Sequence, residues 1–306
     1  MARAALAVVA LLAAGCGSSG TRAQTTRPHP KSPTSGARLE VRRIGSLPRV
    51  VSKASAVALP GGRLMVLGGY AGGRSLDTIL AGPPSRLRIV GSLPQPTHDA
   101  AAVALGSTVY LFGGGESVST PSVVRIDPST GSSTRAPALD EPLSDLGAVA
   151  VGGRAYLVGG YTSTEFASAI LRYLPHGGTA SVARLPHGTR YAGVALLGRT
   201  IYVAGGLTTA GATRSVYAVP LGGRVRRFAA LPRPDDHAAL AALAGRLYLV
   251  GGRRVLAIDP ASGKVSVAAR LPASLTDPTA TTLGRRIVVT GGGTNGVWEL
   301  ASPRAP

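Results

Sequence analysis

The amino-acid sequence predicts an all-β chain built from repeated four-stranded antiparallel units, and three observations carry that expectation. One phrase recurs six times, as "GRLMVLGGY", "STVYLFGGG", "GRAYLVGGY", "GRTIYVAGGL", "GRLYLVGGR" and "GRRIVVTGGG". Its first glycine falls at Gly68, Gly113, Gly159, Gly205, Gly251 and Gly291, at intervals of 45, 46, 46, 46 and 40 residues. A second landmark keeps step with it at Leu47, Leu93, Leu139, Leu185, Leu231 and Leu271, each followed by Pro except Leu139, which Asp140 follows. Composition agrees. With 42 Gly and 23 Pro the chain is rich in turn formers, and its Val, Ile, Leu and Ala stand in short runs alternating with polar residues. No long stretch has the 3.6-residue period of an amphipathic helix, so helix should be nearly absent.

Taken in order, the chain opens with Arg3 and an apolar run from Ala4 to Ala14, then Gly15 and Cys16. Eleven apolar residues are too few for a mature membrane span and suit the hydrophobic region of a secretory signal. Cys16, the one cysteine of the chain, follows small residues at the end of that run. The arrangement resembles the lipobox of bacterial lipoproteins, which implies that residues 1–16 are a signal, that Cys16 is lipidated, and that the protein is exported and anchored to the outer face of the cytoplasmic membrane or otherwise held in the cell envelope. Position 13 is Ala where that motif more often has Leu. The other reading is a plain signal cleaved at small residues, with Cys16 incidental; it exports the protein as well. Residues 17–37, "GSSGTRAQTTRPHPKSPTSGA", contain no aliphatic side chain larger than Ala and no acid. They cannot bury enough apolar area to offset ordering entropy and are expected to be a disordered tether. With no second cysteine the exported domain has no disulfide and relies on its core.

The formal charge is +19, of which Arg3, Arg22, Arg27 and Lys31 supply four, leaving +15 from residue 38 onward. Such a charge attracts anionic lipids and polymers. The arginines are scattered along strands, however, and the 9 Tyr, 3 Phe and 1 Trp do not interleave with them as a stacking platform would. Nucleic acid is therefore not expected as a partner.

Each period divides into four strands. In the third copy "LGAVAV" is the first, Gly152-Gly153 the turn, "RAYLVGG" the second, "SAILRYL" the third and "ASVARL" the fourth. In "IDPSTG" (Ile126 to Gly131) and "IDPASG" (Ile258 to Gly263), Asp, Pro and Gly set the turn between the third and fourth strands. Repeats of this kind, with a small-residue first strand, a turn glycine, a Tyr in the second strand (Tyr110, Tyr156, Tyr202, Tyr248) and a Gly-Gly after it, resemble the kelch family of β-propellers. The resemblance covers residues 38–301 and implies a six-bladed β-propeller, with 302–306 as a tail. The family's usual Trp before the fourth strand is missing, and Trp298 sits on a third strand instead. The sixth copy ends at "GVWELA" without a fourth strand, while "RLEVRRIGSLP" (Arg38 to Pro48) reads like the fourth strands of other copies. The N-terminal strand is thus expected to complete the last blade and close the ring, removing a free edge.

Alternating strand direction puts the tight turns on one face and the longer, more variable loops on the other, where function is expected near the axis. Fourteen residues before each Gly-Gly stand Ala54, Asp99, Asp145, Tyr191, His237 and Asp277, preceded by Lys53, His98, Ser144, Arg190, Asp236 and Thr276. The candidate funnel is His98, Asp99, Asp145, Arg190, Tyr191, Asp236, His237 and Asp277. Short polar residues at strand starts also satisfy turn amides; the alternative is a funnel that binds a sugar, a cation or a partner's basic side chain. The loops offer Arg74, Glu116, Glu165 and Arg214 as candidate contacts for a protein or glycan of the envelope.

No cofactor motif is read, since every Gly-Gly belongs to the repeat, and no metal site follows from His98 and His237 alone. The radical copper chemistry found within the kelch family needs a Cys-linked Tyr, and Cys16 lies in the signal region. Three functions remain: a monomeric binding or scaffold module, a carbohydrate-active enzyme of the epimerase or lyase type working through Asp and His, and electrostatic adhesion to anionic envelope polymers, whose binding would fall steeply with salt. The phase of the second-strand tyrosines with the repeat marks them as packing between blades.

Overall fold

A computed structural model of the chain describes residues 38–173 and 178–303. The signal-like segment 1–16 with Cys16, the segment 17–37 and the last three residues of the tail lie outside the described residues.

Among the described residues nearly all regular structure is β, and a single 3-10 turn at Pro60–Gly62 is the one helical element. Ser55–Leu59, Arg63–Leu67, Arg74–Gly82 and the long strand Arg88–Leu105 pair in order. From His98 that long strand turns to new partners, pairing with Thr108–Gly115, which leads on to Val123–Ile126 and Ser133–Ala136. Gly147–Val151, Arg154–Val158, Ala169–Tyr173 and Thr179–Arg184 make one four-stranded antiparallel sheet, within two residues of the bounds the repeat predicts. Gly193–Leu197, Thr200–Ala204, Ser215–Pro220 and Arg226–Ala230 make another. Ala239–Leu243, Arg246–Ile258 and Val265–Leu275 form a three-stranded sheet, whose middle strand meets one neighbour before Gly251 and the other after it. The last sheet joins Pro278–Leu283, Arg286–Gly291 and Thr294–Ala301 to the first strand of the domain, Glu40–Val51. That first strand runs antiparallel to the last, from Glu40 opposite Ala301 to Val51 opposite Thr294. The arrangement of sheets is a β-propeller.

The core lies between successive sheets and explains why second strands are apolar on both sides. Met65, Leu67 and Ile79 of one sheet meet Val109, Leu111 and Ile126 of the next. Tyr110 and Phe112 meet Leu157 and Tyr173, Val158 and Ile170 meet Ile201 and Val203, and Tyr202 meets Leu247 and Leu249. Tyr248 and Val250 meet Ile287, Val289 and Trp298, while Val288 and Val297 of the last sheet meet Leu64 and Val66 of the first. Each such aliphatic side chain contributes about 1.5–3 kcal/mol when fully buried. The second-strand tyrosines stand in these interfaces, as their phase with the repeat requires.

The Gly-Gly pair has a packing cause. Gly113 has φ 63°, and a Cβ there would overlap the carbonyl oxygen of Leu143 in the neighbouring repeat. Gly114 donates its N–H to that same oxygen at 2.8 Å. The pair lets two sheets approach backbone to backbone near the axis.

Candidate functional site

Each first strand is preceded by one residue in the left-handed conformation: Lys53 (φ 57°), Asp99 (54°), Asp145 (57°), Tyr191 (54°), His237 (58°) and Asp277 (52°). Their backbones form a closed ring of hydrogen bonds. Asp99 N–H donates to the Lys53 carbonyl at 3.0 Å, Asp145 to Asp99 at 2.8 Å, Tyr191 to Asp145 at 3.0 Å, His237 to Tyr191 at 3.2 Å, Asp277 to His237 at 2.9 Å and Lys53 to Asp277 at 3.2 Å. A left-handed residue with a side chain costs about 1–2 kcal/mol, which glycine avoids. Here six positions bear that cost and hold Lys, Tyr, His and three Asp around one axial cavity of about 190 Å³.

The sequence count named Ala54 as the member from the first repeat, and the structure puts Lys53 there. Between its first and second strands this repeat has the three-residue turn Pro60–Gly62, where Leu59 faces Arg63. Other repeats turn in two residues, as Val151 facing Arg154 illustrates. Counting back from Gly68 therefore misses by one. Counting forward six residues from each Leu landmark reaches all six ring positions, and that signal was present in the sequence.

The side chains pair around the ring. Lys53 Nζ lies 2.8 Å from Asp99 Oδ2, and Arg190 donates through Nη2 to Asp145 Oδ2 at 2.5 Å and to the Tyr191 hydroxyl at 2.6 Å. His237 Nδ1 lies 2.6 Å from Asp277 Oδ1, and its ring stands 3.9 Å from that of Tyr191. The Arg190 guanidinium sits 4.4 Å from the ring centres of both Tyr161 and Tyr191, in cation–π contact. Its Nε is buried without a hydrogen-bond partner among the described residues. His98 hangs beside the ring, with Nδ1 2.8 Å from Ser75 Oγ and Nε2 3.5 Å from Asp99 Oδ2. Asp236 is at the margin, 4.0 Å from His237 Nε2.

Above the ring a second cavity of about 260 Å³ is lined by Lys53, His98, Asp145, Arg190 and Tyr191 with Glu116, Ser119 and Tyr161 of the loops. Of the candidate loop residues, Glu116 belongs to this mouth, whereas Glu165 lies in a separate groove. Arg74 is exposed on its own hairpin. Arg214 is exposed, with its Nε donating to the Leu231 carbonyl at 2.7 Å.

Burial sets the protonation of the ring. It raises the Asp145 carboxyl to about 6, with the Asp99 charge adding to it and Arg190 pulling the other way. Burial also raises Asp99 against the attraction of Lys53, and lifts the Tyr191 phenol to about 12. Lys53 stays charged: burial opposes its charge, but the hydrogen bond and attraction of Asp99 hold its ammonium above the ordinary value. The bond to Asp277 raises His237, whereas burial and the Lys53 charge lower His98. Among the described residues no group of three or more His, Cys, Asp or Glu is placed to hold a metal ion.

Fold and site together define a β-propeller with a polar, charge-paired axial site. No family model matches the sequence, and no curated protein matches it. Among solved structures, the structure of YjhT matches with a TM-score of 0.74 at 14% identity, covering 84% of this chain and 95% of its own. At that identity the likeness concerns the fold alone. No helix among the described residues is long and apolar enough to cross a membrane.

Proposed function

We propose that the protein is an exported, lipid-anchored, monomeric six-bladed propeller of the kelch type, closed by its N-terminal strand, and that it serves at the cell envelope as a binding module. Six blades are supported by the six-membered hydrogen-bond ring and by six apolar interfaces, one of which joins the last sheet to the first. Closure is supported by the pairing of Glu40–Val51 with Thr294–Ala301. Export and anchoring at Cys16 rest on the sequence.

The observation that carries the binding role is the ring itself: six side chains kept at left-handed positions where glycine would be less strained, lining one cavity. Turn-amide satisfaction explains Asp at such positions but not Lys, Tyr and His. Donors and acceptors of Lys53, His98, Glu116, Ser119 and Arg190 occur together at the mouth, beside the rings of Tyr161 and Tyr191, and the Nε of Arg190 is buried without a partner among the described residues. Such a mixture suits a small polyhydroxylated ligand such as a sugar or envelope glycan fragment. A carbohydrate-active enzyme is the second reading. It is favoured by the His237–Asp277 pair, which lines the same cavity as Asp145, a carboxyl that burial raises to about 6.

Thermal unfolding against a panel of sugars and envelope glycan fragments tests the role, with an Asp145→Ala/His237→Ala variant alongside. A ligand-dependent rise in Tm in the wild type that the variant loses is expected. No rise with any compound would remove the axial site as a small-molecule site and direct the search to protein partners of the loops. Turnover of a bound sugar, lost in the variant, would select the enzyme.

A further inference from the structure

The two ends of the propeller differ sharply in charge. At one end lie the turns between first and second strands and between third and fourth; at the other lie the axial ring and the long loops. Of the chain's 14 acidic residues, four stand toward the turn end: Glu40, Asp127, Asp259 and Glu299. Three of these are already engaged. Asp259 pairs with Arg246 at 2.8 Å, Glu299 with Arg42 at 3.0 Å and Arg286 at 2.6 Å, and Asp127 accepts from Ser129 in its own turn. Of the other ten, Asp140 accepts from Thr179 at the start of a fourth strand, and nine lie toward the ring end.

The turn end carries the repeated arginine of the phrase "GR". Arg63, Arg154, Arg199 and Arg285 stand at or beside the first residue of second strands, and Arg86 and Arg224 stand in turns between third and fourth strands. All but the half-buried Arg63 are exposed, and none of the six is in an ion pair among the described residues. The chain also enters the domain here. Leu283 faces Arg286, Arg286 faces Ala301 and Ala301 faces Glu40, so Glu40 stands level with the turn of its sheet.

We propose that this turn end is a docking surface for an anionic lipid bilayer, with the axial ring directed away from it. Arginines from four of the six repeats gathered at one end can face an anionic surface together, which charge spread over the whole molecule cannot do. The proposal rests on charge placement and not on the axial site, so either can fail without the other.

The test is co-sedimentation of the full chain with vesicles of phosphatidylcholine alone and with about 30% phosphatidylglycerol, at about 50 and 300 mM salt. The apolar N-terminal run is common to all proteins compared and acts on both vesicle types. Arg154→Glu/Arg199→Glu/Arg285→Glu removes charge at the turn end, and Arg49→Glu/Arg233→Glu/Arg253→Glu removes the same charge at the ring end. Binding to the anionic vesicles that weakens with salt, falls about tenfold or more in the first variant and changes less than about twofold in the second is expected. Should the first variant unfold, Arg154→Gln/Arg285→Gln reads the same difference at reduced size. Equal losses in both variants, or no preference for anionic vesicles, would overturn the proposal. Retention on a sulfated polysaccharide without vesicle binding would overturn it in favour of a soluble polyanion.

Discussion

Asp145 makes the stability of the domain depend on pH in an unusual direction. Its carboxyl is nearly inaccessible, with 2% of the side chain exposed, and titrates near 6 in place of 3.8. A carboxyl whose folded pKa is raised destabilises the fold where it is ionised, above about pH 6, and that loss is relieved as pH falls toward 4. From the two values the full effect is about 3 kcal/mol, and about 1.4 kcal/mol of it is recovered between pH 7.5 and 5. Asp235, also held near 6 by burial and the Asp236 charge, acts in the same direction. So does His237: its pKa is raised, so its stabilisation is complete below about pH 6.5 and lost as pH rises through the folded value. At about 2–4 °C per kcal/mol for a domain of this size, Tm should rise by about 3–6 °C on Asp145's account alone between pH 7.5 and 5. The assay is thermal unfolding over that range for wild type and Asp145→Asn, the variant having the flatter profile. A wild-type Tm that is constant or falls toward pH 5, with the variant parallel to it, would show that Arg190 keeps Asp145 ionised and would refute the reasoning.

Further outcomes follow from the packing. Deleting Arg38 to Leu47 strips the last sheet of its fourth strand and exposes Thr294–Ala301 as an edge; the domain should unfold or aggregate, and a soluble variant with wild-type Tm would sink the closure. Gly113→Ala forces a Cβ against the Leu143 carbonyl at a positive φ, and should cost about 2–4 kcal/mol, read as a Tm drop of about 4 °C or more. Trp298→Ala, with the residue 5% exposed in the interface with Tyr248 and Val250, should cost about 3–5 kcal/mol by denaturant unfolding followed by circular dichroism. In the wild type that single Trp should report the same transition by fluorescence.

The strand plan was legible because a repeat prints its register many times over: two landmarks in phase locate every turn, and the third copy's four strands fall where the alternation puts them. The ring was legible in five of its positions. Lys53 escaped because a single extra turn residue at Pro60–Gly62 displaced the count from Gly68, a change that is local and costs nothing in the core. What no spacing discloses is the partner of each side chain. Arg214 reads as a free loop cation until its bond to Leu231 is seen, and the sandwiching of Arg190 by Tyr161 and Tyr191 joins two successive repeats. The crowding of acids at one end is likewise invisible along a line of text, since strand direction reverses with every turn.

The pairing of Glu40–Val51 with Thr294–Ala301 orders events in time as well as in space. Arg42 and Glu299, joined at 3.0 Å, are 257 residues apart in sequence, so this contact becomes available only after nearly the whole domain has emerged. Until then the first strand has no permanent neighbour on that side, and the last interface of the core, Val288 and Val297 against Leu64 and Val66, is open. Contacts of such long sequence separation close slowly. A chain whose clasp joins its two ends stays incomplete until its last strand has been made.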